Sequence, residues 1–394
     1  MSRRAPVVAL LFCTSFALAL ASRATDRAAP AVVEGDPALR AAMAQIFAAM
    51  RVLLPLAVDD EAFGKKENRA AVVDATARLK THADALKRHV SLDAPGTEFL
   101  GGRLAKDARE VERHFAAGRT DQARFLVQEM TDTCVACHAR LPSTTDSPLA
   151  EQFIPQTSLT ALPVRAQARV LLATRRFDDA IVALERLLLD ESVPASQLLD
   201  PLSQYLTTTI RVKRDFDRPA RTLEKFQGRK DLWRALRRDV HQWIVSLAEL
   251  SRHGKVAPTL ATARRLIDDA TNVMQFRADR TGLVHAVTAS SLLFRFVEAR
   301  ESGKKRTDRE IAEAYYLLGV AESLIRQSYW LEEAEAYLEI SIRMDPKGPW
   351  AELALAKLEE EILFTYTGSA GQPLPDDVEH HLDELRRMVG ERAP

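Results

Sequence analysis

Residues 120–142 read TDQARFLVQEMTDTCVACHARLP, and two signals overlap in them. Ala123, Leu126, Val127, Met130, Cys134 and Cys137 recur at helical spacing, so the stretch predicts one amphipathic helix from about Thr120 to His138. The last turn of that helix carries Cys134, Cys137 and His138, a C-x-x-C-H pattern that reads as a site of covalent c-type haem attachment. The spacing has a chemical reason. Two thiols bond the two vinyl groups of one porphyrin, and the adjacent imidazole is then held beneath the iron as proximal ligand. With 3 cysteines and 9 histidines in 394 residues, a chance match is roughly a one-in-two-thousand event.

Other chemistries for the pair are less well served. A structural zinc site would need two more Cys or His ligands at short spacing, and none follows. A thioredoxin-like dithiol belongs in a βαβ context, whereas this chain reads as helical throughout. A plain structural disulfide between Cys134 and Cys137 is the remaining alternative.

Haem of this type is attached outside the cytoplasm, and the N-terminus agrees. Arg3 and Arg4 precede an apolar run from Val7 to Leu20 that is too short to span a bilayer, and Ala19-Leu20-Ala21 offers a small-x-small cleavage site. Residues 1–21 are therefore expected to be a signal peptide and the protein periplasmic or secreted. Cys13 would leave with the signal, so the mature chain holds two cysteines, enough for one haem. No second apolar run of membrane length is expected.

Composition bounds the rest. The chain is long enough for two domains, and 46% hydrophobic with 28% charged residues describes an ordinary globular protein. A formal net charge of zero, from 55 basic and 55 acidic residues, argues against nucleic acid or an anionic membrane as partner. Abundant alanine and leucine with few aromatics favour an all-α fold.

Upstream of the motif three more helices are expected, after a flexible lead-in over 22–35. Asp36-Pro37 starts the first, in which Leu39, Met43, Ile46, Met50 and Leu53 form one stripe, with Pro55 and Asp59-Asp60 helping to end it. The second fits about Asn68 to Val90, with Val72, Ala75, Leu79 and Leu86 inward. Asp93-Ala94-Pro95-Gly96 reads as a turn, and a third helix runs from about Phe99 to Ala117 with Gly118 closing it. Four antiparallel helices with short loops make an up-down-up-down bundle over 36–141.

Four helices with Cys134-x-x-Cys137-His138 closing the last one resemble the class II, cytochrome c-prime type, c-type cytochromes. The resemblance covers about a quarter of the chain. It implies one haem c held by Cys134 and Cys137, with His138 as proximal iron ligand and a distal side either open or filled by a methionine of the first helix. In that topology His138 sits beside the start of the first helix, which favours Met43 over Met50, roughly 10 Å further along at 1.5 Å per residue. Methionines on an apolar stripe are also ordinary core fillers. The family often has an aromatic and a basic residue soon after the histidine; here Ala139-Arg140-Leu141-Pro142 follows.

Residues 142–158 are rich in Pro, Ser and Thr and read as a linker. Beyond it, Arg175–Asp190 and Tyr329–Pro346 share an aromatic, an acidic pair, then Ala180 or Ala334, then Leu184 or Leu338. This resembles the second helix of tetratricopeptide repeats, with Leu318-Gly319 matching a first helix. A TPR-like solenoid over 159–394 would present a concave surface to a protein or peptide. The segment Tyr205–Val212 looks locally strand-like but is expected to be helical in this context. Trp233, Trp243, Trp330 and Trp350 are groove anchors or core, and Gly303–Glu310 is a solvated charge run. His380-His381 is discounted as a metal site because adjacent helical positions point apart.

The functional expectation is a monohaem cytochrome for electron transfer, with the helical-repeat region docking a redox partner protein. Alternatives are a haem-based gas or redox sensor, and a protein-assembly adaptor with structural haem. No catalytic acid/base pair or nucleophile motif points to an enzyme.

Overall fold

The computed structural model describes residues 37–59, 61–89, 95–140, 159–160, 162–254, 257–301, 306–326, 332–367 and 373–390. The expected signal peptide, the expected lead-in and the whole of the expected linker 142–158 lie outside them. Among the described residues the fold is all-α, with fifteen α-helices and no strand.

The first four helices are α1 (Pro37–Val58), α2 (Arg69–His89), α3 (Pro95–Ala116) and α4 (Thr120–His138). They pack in a closed cycle, α1 on α2, α2 on α3, α3 on α4 and α4 back on α1. The inward positions expected of α2 are all buried, as are Ala123, Val127 and Met130 of α4. Gly118 closes α3 at φ +75°, a conformation that a side chain would strain. Two expectations need correction. Pro55 does not end α1, which continues to Val58; it sits in the exposed last turns, where a lost N–H and a freed Arg51 carbonyl can be met by water. Pro95-Gly96 is not a turn but the first turn of α3, since proline suits a helix start and Gly96 is buried against Tyr337. The 38–58 stretch of α1 is also long and apolar enough to cross a membrane by length and composition alone, contrary to expectation. Its Ala42, Ile46, Ala49, Leu53 and Ala57 are buried against the neighbouring helices.

The chain continues through α5 (Val164–Ala173), α6 (Phe177–Leu189), α7 (Leu199–Thr207), α8 (Asp217–Gln227), α9 (Arg234–His253) and α10 (Leu260–Val273). It ends with α11 (Leu283–Glu301), α12 (Asp308–Ile325), α13 (Glu333–Met344), α14 (Ala351–Thr367) and α15 (Asp376–Val389). Neighbours in sequence pack as pairs: α5 on α6, α8 on α9, α10 on α11 and α12 on α13. In the last of these pairs the approach is close at Gly319, where a Cβ would lie 2.5 Å from Leu338 Cγ and 3.1 Å from the Ala334 carbonyl oxygen. The strand-like Tyr205–Val212 segment is helical, but α7 widens at its end into a π-turn over Thr208–Lys213. There the hydroxyls of Thr208 and Thr209 bond the carbonyls of Gln204 and Tyr205 at 2.7 and 2.8 Å, which gives β-branched residues a way to stay helical. Trp243 is core, Trp350 stacks on Tyr316 at 5.6 Å, Trp233 is 41% exposed, and Trp330 lies outside the described residues.

One buried apolar cluster runs from Ile46 in α1 to Tyr337 in α13, and a second joins α13, α14 and α15. Helix α5 packs on α4, and α13 packs on α3. These contacts put the end of α4 against the C-terminal helices.

Candidate functional site

The C-x-x-C-H motif occupies the last turn of α4, where helical rotation sets Cys134 and His138 within about 40° of each other and Cys137 about 60° from Cys134. An apolar cavity of 240 Å³ receives Cys134 and His138 from α4 together with Met43, Phe47, Met50 and Leu54 from α1. Cys137 lies outside that lining and packs, as Phe99 does, against the cluster of Leu100 and Ala136. The structure therefore brings Cys134, His138 and Met43 to one cavity and turns Cys137 toward α3.

The register of α1 against α4 follows from the helix end. The Arg124 guanidinium, at 3.4 Å, and the Gln128 side-chain amide both donate to the Ala57 carbonyl, satisfying a terminal acceptor of α1. Counted along the antiparallel helices from Gln128, His138 is level with about Phe47, and counted from Arg124, with about Met43. Met43 then falls within about 6 Å of it along the axis and Met50 about 4.5–10 Å away. Both methionines line the cavity.

His138 is fixed from its far side. Its Nδ1 lies 2.8 Å from the Ala173 carbonyl oxygen at the end of α5. A carbonyl only accepts, so Nδ1 carries the proton and Nε2 keeps its lone pair. Burial pushes the imidazole down to about 4, and the Arg175 guanidinium adds to the effect, so the ring is neutral at pH 7. A neutral imidazole whose other nitrogen donates to a backbone carbonyl is the ordinary preparation for metal ligation.

The cysteines are not disulfide-bonded. Burial pushes the Cys134 thiol up to about 12, with the negative neighbours Cys137 and Asp132 adding to it. Burial also raises Cys137, although Arg140 and Arg175 pull the other way. Both thiols are protonated at neutral pH, the opposite of what a dithiol redox centre needs.

Several contributors carried no signal in the sequence. Leu159, Leu162, Val170, Ala173 and Thr174 close the cavity from the C-terminal side of the linker. Arg51 of α1 also lines it, and Arg175, at φ +64° in the α5–α6 turn, acts on both His138 and Cys137. Arg140, directly after the motif, turns away from it: it pairs with Glu333 and lies 4.6 Å over Phe294 and 5.1 Å over Tyr337. His380 and His381 do point apart, one to the Asp376 carbonyl at 2.7 Å and the other to Glu339 at 3.1 Å.

Of the donors that a covalently bound haem takes, the cavity holds the Cys134 thiol, an imidazole with its lone pair free and facing methionines between apolar walls, while the Cys137 thiol lies outside it. The volume is smaller than the 300–1,000 Å³ of ordinary ligand pockets, so the ring would require α1 or α5 to move outward. No family model, no curated protein and no solved structure matches this chain.

Proposed function

We propose that this chain is an exported monohaem c-type cytochrome of the class II kind, in which α1–α4 form the haem bundle and the later helices a TPR-like array that docks a redox partner protein. The observation that supports it best is the convergence of Cys134, His138 and Met43 on one apolar cavity with the His138 Nδ1 already engaged. Cys134 and Cys137 would hold the group through their sulfurs, with His138 Nε2 and Met43 as the iron ligands, and it would supply a one-electron couple with a potential raised by methionine ligation. The apolar walls exclude water from the ligand atoms, and the Ala173 carbonyl holds the imidazole in one tautomer and one orientation.

The test is a visible spectrum of protein matured with the haem-attachment machinery, oxidised and then reduced, with a pyridine haemochrome assay. Covalent haem with a low-spin spectrum and a methionine-to-iron charge-transfer band toward the red supports electron transfer. A high-spin spectrum that shifts with carbon monoxide would favour gas binding instead. Absence of covalent haem would refute the reading.

A further inference from the structure

On the far side of Cys137 from the cavity lies a groove of 450 Å³ between α3, α13, α14 and α15. Phe99, Leu358, Ile362, Tyr366 and Val378 give it an apolar floor, and Glu332, Glu335, Glu339 and Asp377 rim it with no Lys or Arg in the lining. Glu332 is tied to Arg103 at 3.1 Å, and Glu339 to Arg343 at 2.6 Å and His381 at 3.1 Å. Among the described residues, neither Glu335 nor Asp377 has an ion-pair partner. Burial pushes the Glu335 carboxyl above its ordinary range, and the carboxylates of Glu332 and Glu361 push it further. Two carboxylates over an apolar floor that make no ion pair among the described residues, Glu335 and Asp377, are complementary to an apolar segment that brings its own positive charge. The floor residue Phe99 packs on the same small apolar cluster, Leu100 and Ala136, as Cys137 does.

We propose that this groove docks an amphipathic, Lys/Arg-bearing segment of a protein partner, with apolar side chains on Phe99 and Tyr366 and cations on Glu335 and Asp377. A neighbouring groove of 640 Å³ shares Phe99, Glu332 and Glu339 and adds Lys87, Lys106 and Arg109, so cations border the acidic groove on that side. The redox meaning of the surface rests on the haem reading; the docking itself does not. Weak redox encounters bury less than other specific interfaces, in keeping with a single groove.

The test uses full-length protein and a fluorescein-labelled helical lysine–leucine peptide, followed by anisotropy at low and at 0.5 M salt. Binding is expected to weaken with salt, and about tenfold in Glu335→Gln/Asp377→Asn, from two partly exposed pairs of up to about fivefold each. Lys106→Gln in the neighbouring groove should leave it unchanged, and all variants are checked for native helicity. Equal affinity in wild type and the double variant, or equal binding of the same peptide with glutamate for lysine, overturns the proposal. The same titration on Cys134→Ala/Cys137→Ala separates the two readings. Peptide bound by that variant shows that docking stands without haem, and the redox role falls if the wild type, in the pyridine haemochrome assay, carries no covalent haem.

Discussion

Arg229, only 3% exposed, binds the α6–α7 connection by itself. Its guanidinium donates to the carbonyls of Asp190 and Val193 at 2.7 and 2.6 Å and to the Asp231 carboxylate at 2.9 Å. Asp231 also accepts the Ala195 N–H at 2.8 Å. The Arg229 hydrogen bond, then that backbone bond, holds the Asp231 carboxyl down to about 2. A depressed folded-state value means that the stabilisation is complete above the ordinary range near 3.8 and fades as pH falls toward 2. Asp231→Asn should therefore melt below wild type at pH 7, with the gap closing by pH 2; a gap that persists at pH 2 would refute the ion pair as its source. At the haem site, Met43→Ala should remove the charge-transfer band and lower the potential, whereas Met50→Ala should leave both in place. Loss of the band in Met50→Ala alone would exchange the two roles. The thiols and imidazole were legible because all three lie in one helical turn. The Ala173 carbonyl was not, because a backbone acceptor has no residue signature and lies 35 residues downstream of His138.

Helix bounds show how far local signals reach. The expected span of α4 is the observed one, since the cysteine and leucine stripe, the preceding Gly118 and the motif all agree. The start of α3 was misplaced because Pro-Gly is a turn signal locally, while here the missing Gly96 side chain admits the Tyr337 ring, with a Cβ only 3.2 Å from Cε1. Gly319 carries the same lesson in a place that the repeat pattern did mark. Its close contacts with Leu338 and Ala334 leave no room for a methyl group, so Gly319→Ala should cost about 2 kcal/mol by overpacking. Urea unfolding checks it: the midpoint should fall with the slope unchanged. An unshifted midpoint would mean that α12 and α13 slide apart freely.

Across the whole molecule, packing joins what composition divides. The Pro/Ser/Thr-rich 142–158 stretch marks a change of pattern, yet the apolar cluster on one side of it continues into the other. Cations from both sides of it meet at one ring. Arg211, from the π-turn, donates to Ser290 at 2.9 Å and to Glu322 at 2.8 Å, and its guanidinium lies 5.1 Å over Phe294, the ring that Arg140 also covers. Such long-range closures leave no periodicity to read. They predict one cooperative transition: Soret absorbance and far-ultraviolet circular dichroism should lose signal at the same temperature. Two separated midpoints would show that the four-helix part unfolds on its own.

For the exported haem protein proposed above, the bond from His138 to α5 would also set an order of events during biogenesis. The attachment chemistry must reach both thiols and the imidazole, and α5, with Leu159 and Leu162 before it, comes to lie over that site. In a chain that emerges N-terminus first, Cys134 and Cys137 leave the export channel some thirty residues before α5 begins at Val164. That interval is the natural window for haem insertion. A chain that folded completely first would have to release α5 to be matured.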